Sequence, residues 1–188
     1  VRDYYGVDGS PTVVDAWFYT NPTTNTRIAS GVEWHTVAMS GLRQGGNSYF
    51  ALDITDPSSP TYPQYLWEFP REDAPTSITD YMGESWSKPV ITRIRVSVSG
   101  DTNSGKGYER WVAIFGAGYH EHGDPNGADY RQLGDAGFTP KGRAIYMVDI
   151  TTGEVLAKKV YDSAAAALTS TDTPQIGIKE FDYAFASA

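Results

Sequence analysis

Three stretches of this chain carry oxygen or nitrogen donors at spacings that could do chemistry. In Asp101-Thr102-Asn103-Ser104-Gly105-Lys106-Gly107-Tyr108-Glu109, the side chains of Asp101, Asn103 and Glu109 stand at loop positions one, three and nine. Calcium loops use such alternation because every second side chain turns inward on a hard cation. Gly105 removes a carboxylate from position five, however, and Lys106 sets a positive charge inside the loop. The plain alternative is an exposed hairpin between two strands. His120-Glu121-His122-Gly123-Asp124, with Asn126 and Asp129, is the densest set of donors. A histidine pair at i, i+2 on a strand shares one face and could chelate a transition metal. Against this, the segment is glycine-rich and polar, a composition typical of solvated loops. His35 could act as a general base, but it follows Trp34 in an otherwise apolar run. There it reads as a packed histidine with its hydrogen bond satisfied.

No serine or cysteine stands in a nucleophile elbow, and Gly116-Ala117-Gly118 lacks the strand-to-helix setting of a dinucleotide site. No catalytic or cofactor-binding residue is therefore assigned. Tyr4-Tyr5, Trp17-Phe18-Tyr19 and Trp86 could line a sugar- or surface-binding face, but they read more simply as packing aromatics.

Composition narrows the partners. The 188 residues include 15 Lys and Arg against 23 Asp and Glu, a formal charge of -8 with no basic cluster. Nucleic acid and anionic membrane surfaces both require the opposite balance. With no cysteine, disulfides and thiolate metal sites are excluded within the chain. No apolar run is long enough to span a bilayer and no signal peptide is evident. A start at Val1 rather than Met suggests an internal fragment or a processed product.

The elements that would position these residues are short strands. With 13 Tyr, 5 Trp, 19 Gly and 11 Pro, the chain favours strands broken by turns over long helices. Strand-like runs bounded by Gly, Pro, Asn or Asp fall at residues 12–19, 36–40, 48–54 and 65–69. A second group falls at 88–98, 110–115, 143–150 and 155–160, and only the alanine-rich stretch 163–168 suggests a short helix.

The two groups of four repeat each other. Pro11 and Pro89, each opening a first strand, are 78 positions apart (89 − 11). The Trp34-to-Gly41 run matches the Trp111-to-Gly116 run, an apolar strand entering glycine. Leu52-Asp53-Ile54-Thr55 matches Val148-Asp149-Ile150-Thr151 at a spacing of 96 (149 − 53), so the added residues form one loop at about 118–142. Leu66-Trp67-Glu68-Phe69 and Val155-Leu156-Ala157-Lys158 close the units. A four-stranded unit repeated in tandem without an intervening helix is the mark of propeller blades. The expected fold is all-β, a partial β-propeller of two four-stranded antiparallel blades from a larger, modified quinoprotein-like ring. The expected organisation is a first blade and linker at 1–84, a second blade at 85–172 with the 118–142 insertion, and a lead-in to a further blade at 173–188. Two blades cannot close a ring, and missing neighbours would leave unpaired faces.

These motifs resemble the C-terminal propeller of the PilY1/PilC family of type IV pilus biogenesis factors. The resemblance is carried by Asp8-Gly9-Ser10-Pro11-Thr12-Val13, by Trp34-His35-Thr36-Val37 with Gly41-Leu42-Arg43-Gln44-Gly45-Gly46, and by Tyr49-Phe50-Ala51-Leu52-Asp53-Ile54-Thr55-Asp56-Pro57. It continues through Ser85-Trp86-Ser87-Lys88-Pro89-Val90 and Tyr146-Met147-Val148-Asp149-Ile150-Thr151-Thr152-Gly153-Glu154, covering residues 8–159. It implies an exported, pilus-associated, extracellular or cell-surface protein that is not an enzyme, promotes pilus assembly against retraction and contributes to adhesion. Its implied partners are type IV pilins or minor pilins, the rest of its own propeller, and host or abiotic surfaces. The resemblance also implies a calcium loop of the form Asp-x-Asp-x-Asp-x-x-x-Asp, expected downstream of these blades and so outside this chain. A quinone-cofactor (PQQ-type) dehydrogenase is the alternative, because such enzymes share the four-stranded blade. The Trp-docking repeats and adjacent cysteines of those enzymes are not evident in this sequence. A carbohydrate-binding propeller is the third reading.

Overall fold

In the computed structural model, the residues described are 6–18, 20–21, 26–27, 33–96, 108–120 and 141–160. The chain runs β1 (Thr12–Phe18), β2 (Thr20–Asn21), β3 (Thr26–Arg27), β4 (Glu33–Gly41), β5 (Tyr49–Asp53) and β6 (Gln64–Phe69). A single helical turn, α1 (Thr76–Thr79), precedes β7 (Val90–Val96), β8 (Tyr108–Gly116), β9 (Ala144–Asp149) and β10 (Val155–Val160). β1-β4-β5-β6 form one four-stranded sheet and β7-β8-β9-β10 the other, each an antiparallel meander, and β2 and β3 make a small hairpin. The all-β class and the two four-stranded units expected from the repeat are what the molecule shows. The sequence pattern does not signal the β2–β3 hairpin or α1, and the helix expected at 163–168 lies outside the described residues.

Strand pairing gives the repeat its true register. Val37 faces Asp53 in the first sheet, and Val112 faces Asp149 in the second. Gly41 faces Tyr49 and Gly116 faces Ile145, so the glycines are equivalent. His35 therefore corresponds to Arg110, and Trp34 to Glu109. The two tryptophans matched from sequence are displaced by two positions, because the equivalent strands are anchored at their glycine ends and not at their aromatic ends. The fourth strands agree in a feature the sequence did not advertise. The register slips between Ala51 and Leu52 opposite Trp67 and Tyr65, and again opposite Val155 and Ala157. Leu66 and Leu156 are thus the extra residues of two equivalent β-bulges, which bend and twist a strand locally.

The sheets pack head to tail. Ala16, Phe18, Val37, Met39, Tyr49, Ala51, Trp67 and Phe69, from one face of the first sheet, join Ala113, Phe115, Tyr146 and Val148 of the second in one buried core. Those second-sheet residues belong to the face equivalent to Ala38, Ser40, Phe50 and Leu52, which the first sheet turns away. The opposite face of the second sheet gathers its own apolar set, Val112, Met147 and Leu156 with Ile94 and Ile114. Because unlike faces meet, the contact is heterologous, and repeating it leads to a ring or a helix rather than a closed pair. The first strands come together where the Thr12 hydroxyl donates to the Pro89 carbonyl at 3.3 Å.

Candidate functional site

Two constructions stand out, the seam between the blades and the end of the first blade where β4, β5 and the β5–β6 turn meet. The seam is built on a tryptophan and a serine. Trp67, on β6, donates its indole N–H to the Ile150 carbonyl of the second blade at 2.8 Å. Its ring lies against Gly153, where a Cβ would sit 2.8 Å from the indole, and Gly153 holds φ at +70°. This glycine closes the tight turn after β9, its N–H donating to the Asp149 carbonyl at 2.9 Å. A cross-blade tryptophan dock is therefore present that no repeat in the sequence makes evident. Its partners are 83 residues apart, and only the Thr152-Gly153 turn signals one of them.

Ser85 pins the segment that joins the blades. Its buried hydroxyl accepts from the Leu42 and Arg43 N–H groups at 2.7 and 3.2 Å and lies 2.8 Å from the Ser48 carbonyl, to which it donates. Residue 84 is held on the other side, its N–H donating to the Tyr119 carbonyl at 2.7 Å and its carbonyl accepting from the Tyr119 N–H at 2.9 Å. Tyr49 crosses the same seam, its hydroxyl donating to the Ser87 carbonyl at 3.0 Å. Burial pushes the Tyr49 phenol above its usual range despite the hydrogen bonds at Ser87.

At the other construction, Asp53 ends β5 and turns its carboxylate back on the chain. Its Oδ1 accepts from the Thr55 N–H at 2.9 Å and from the Thr55 hydroxyl at 2.5 Å. Its Oδ2 lies 2.6 Å from His35 Nδ1. The His35 ring in turn stacks on Phe18 with centroids 3.9 Å apart. His35 is thus the packed, hydrogen-bonded histidine expected from sequence. In the second blade Asp149 accepts from the Thr151 N–H at 2.8 Å, and Arg110 Nη1 approaches its Oδ2 at 3.4 Å. Each blade therefore caps its third strand with an Asp-x-Thr turn and sets a basic side chain against the aspartate, histidine in one and arginine in the other.

Around the first of these turns Trp34, His35, Asp53, Asp56, Thr61 and Tyr62 line an open groove of ≈ 200 Å³. The turn that walls it, residues 54–63, is twice as long as its counterpart, 150–154. Ser58 donates to Asp56 from both its N–H and its hydroxyl, at 2.9 and 2.6 Å, and these bonds hold the Asp56 carboxyl below its ordinary range. For Asp53, partial burial works against ionisation, but the Thr55 hydrogen bonds and His35 outweigh it and lower the carboxyl below 3.8. A carboxyl depressed by folding stabilises above its unfolded value and loses that contribution as pH falls through its folded value. The melting temperature should therefore drop on acidification below about pH 4, and Asp53→Asn should flatten that part of the profile. A profile of the same slope in the variant would show that Asp53 does not carry it.

Of the sequence-predicted calcium ligands, Asp101 and Asn103 lie outside the described residues. Glu109 is on β8, where its carboxylate sits 3.8 Å from Arg93 and 3.7 Å from Arg95. Those arginines compete with a cation for its oxygens. In the histidine-rich stretch only His120 is described, and its Nδ1 accepts from the Lys141 N–H at 3.1 Å. Residues 121–129 are outside the described set. Trp17 and Phe18 are buried, as packing aromatics should be, while Tyr4, Tyr5 and Tyr19 are not described. Trp86 lies under the Arg43 guanidinium at 4.2 Å and donates to Glu84 at 2.8 Å. Among the described residues no three His, Cys, Asp or Glu side chains gather as a metal site, and no helix is long and apolar enough to cross a membrane.

Two four-stranded antiparallel blades, packed head to tail and locked by a docked tryptophan, define the chain as an all-β, propeller-type unit. Comparison with known proteins then gives the particular kinship. The type IV pilus biogenesis factor PilY1 of Pseudomonas aeruginosa is 27% identical over 184 residues, 95% of this chain. The PilY1 homolog of Xylella fastidiosa is 29% identical over 158 residues, 84% of this chain. These homologues bear out the resemblance to the PilY1 family carried by residues 8–159. The chain spans only 12% of the P. aeruginosa protein and 8% of the X. fastidiosa protein. The crystal structure of the P. aeruginosa PilY1 C-terminal domain aligns with 83% of this chain and 22% of that one, at 28% identity and a TM-score of 0.46. No protein-family model matches the chain.

Proposed function

We propose that this chain is a propeller segment of a type IV pilus biogenesis factor that works through its surfaces and not by catalysis. The observation that carries the reading is the similarity to PilY1 of P. aeruginosa, 27% identical over an alignment that covers 95% of the chain. It passes through both blades and the seam between them. Fold alone would not fix this function, since blades of this kind serve many chemistries. The finer statements rest on the same kinship: an exported, pilus-associated protein at the cell surface, partnered by pilins or minor pilins, that promotes assembly against retraction and contributes to attachment. Heterologous packing supports a further element of the reading, that additional blades of the same protein cover the outer faces. On the same kinship, calcium is held by a loop beyond these blades, and Glu109 for its part faces two arginines.

Deleting the full-length gene in its own organism, with and without the pilus retraction motor, tests the proposal. Surface pili should be lost in the first background and return in the second. Unchanged pili in both would overturn the assignment and return attention to quinone-dependent dehydrogenase assays and glycan binding.

A further inference from the structure

The two blades share a framework, so the places where they differ mark what one of them does beyond folding. At the end of the third strand they differ in three ways, and all three converge on the groove. Trp34 stands where the second blade has Glu109, His35 where it has Arg110, and the turn 54–63 replaces the short 150–154. None of these changes is needed for the Asp-x-Thr cap, whose backbone bond the second blade also makes.

Trp34 is 57% exposed and Tyr62 44% exposed, two large rings left in water at the rim. Trp34 lies on the face of the first sheet that a preceding blade would cover, yet the equivalent position on the second blade stays partly open under such packing. Glu109, at the equivalent position on the second blade, keeps a side chain 44% exposed although the first blade packs against that face. The site's polar lining is hydroxyl, amide and carboxylate: Thr55, Ser59, Thr61, Gln64, Asp53 and Asp56.

That chemistry selects among ligands. An anionic sugar or phosphate would meet two carboxylates with only His35 among the lining side chains to balance them. A hard cation would find Asp53 already committed, with Oδ1 to Thr55 and Oδ2 to His35, and Asp56 alone with a free oxygen, enough for a sugar hydroxyl but short of a cation's ligand shell. A groove of ≈ 200 Å³ lies below the roughly 300 Å³ at which small-molecule pockets begin, so it takes at most one sugar unit. A neutral pyranose fits each constraint: its C–H face covers an aromatic ring while its hydroxyls bond to carboxylate, hydroxyl and amide groups. We propose that the Trp34–Tyr62 groove at the end of the first blade binds one neutral sugar unit of a glycan. The proposal stands without the pilus assignment, and its failure would leave that assignment untouched.

The test uses the full-length protein that carries this chain. Glucose, galactose, mannose and N-acetylglucosamine are titrated individually into the millimolar range by saturation-transfer NMR, followed by a glycan array. At least one sugar should bind, and Trp34→Ala should weaken it about tenfold, the equivalent of about 1.4 kcal/mol. Tyr62→Ala should weaken it less, and Trp34→Phe should keep most of the affinity. Thermal melts of the three variants separate loss of the ring from loss of the fold. Absence of binding by every neutral sugar, or affinity unchanged in a folded Trp34→Ala variant, would overturn the proposal. So would an array that retains only anionic glycans.

Discussion

Replacing Trp67 by alanine is expected to cost about 4 kcal/mol of stability, the range for emptying a buried tryptophan site. Trp67 is only 4% exposed, so truncation removes a large apolar surface from the shared core. It also leaves the Ile150 carbonyl without its indole donor. Trp67→Phe should cost about half as much, since it restores part of the packing and none of the hydrogen bond. The dock makes a sharper claim through Gly153. Gly153→Ala meets two penalties in the wild-type background: a strained left-handed φ and a methyl pressed on the indole. With Trp67 already alanine the second penalty is gone, so the two substitutions should be non-additive by about 1 kcal/mol or more in a double-mutant cycle. Denaturant unfolding of the four proteins supplies the cycle. Simple additivity would show that the ring and the turn are neighbours without being coupled.

The second large effect is expected at Gly118. Its φ is +91°, and a Cβ there would overlap the Glu84 carbonyl oxygen, a backbone atom with no freedom to swing aside. That carbonyl accepts from the Tyr119 N–H and belongs to the strip joining the blades. Gly118→Ala should therefore cost about 3 kcal/mol, strain and displacement together, and Gly118→Val more. Gly6, where a Cβ would meet nothing within 4 Å, supplies the contrast, and Gly6→Ala should be nearly neutral. Melting temperatures of the variants decide the point, and equal values for Gly118→Ala and Gly6→Ala would refute the close approach.

Much of this architecture was legible because the repeat is written in residues that turns and strand ends require. Pro11 and Pro89 precede the first strands, Asp53 and Asp149 end the third, and Gly41 and Gly116 end the second. Each does a local job that its spacing reveals. The tryptophans misled, because Trp34 and Trp111 look like landmarks while register is set by pairing at the other end of the strand. The bulges at Leu66 and Leu156 left no signal, since a leucine inside an apolar strand is unremarkable to any pattern. The seam was least legible of all. Trp67, Ser85 and Gly153 act on partners in the other blade or in the joining segment, and nothing near them in sequence names those partners. His35 was readable as a packed side chain, but its carboxylate partner comes from the neighbouring strand. The groove was unreadable because its identity lies in how the first blade departs from the second, which requires the correct register.

The most direct single measurement is surface pilus yield in the gene-deletion strain complemented with Gly118→Val, compared with wild type in retraction-competent and retraction-deficient cells. If the two-blade unit belongs to a pilus assembly factor, the variant should leave retraction-competent cells bald, and pili should return when retraction is disabled. Wild-type piliation by a variant shown to be unfolded would contradict the account.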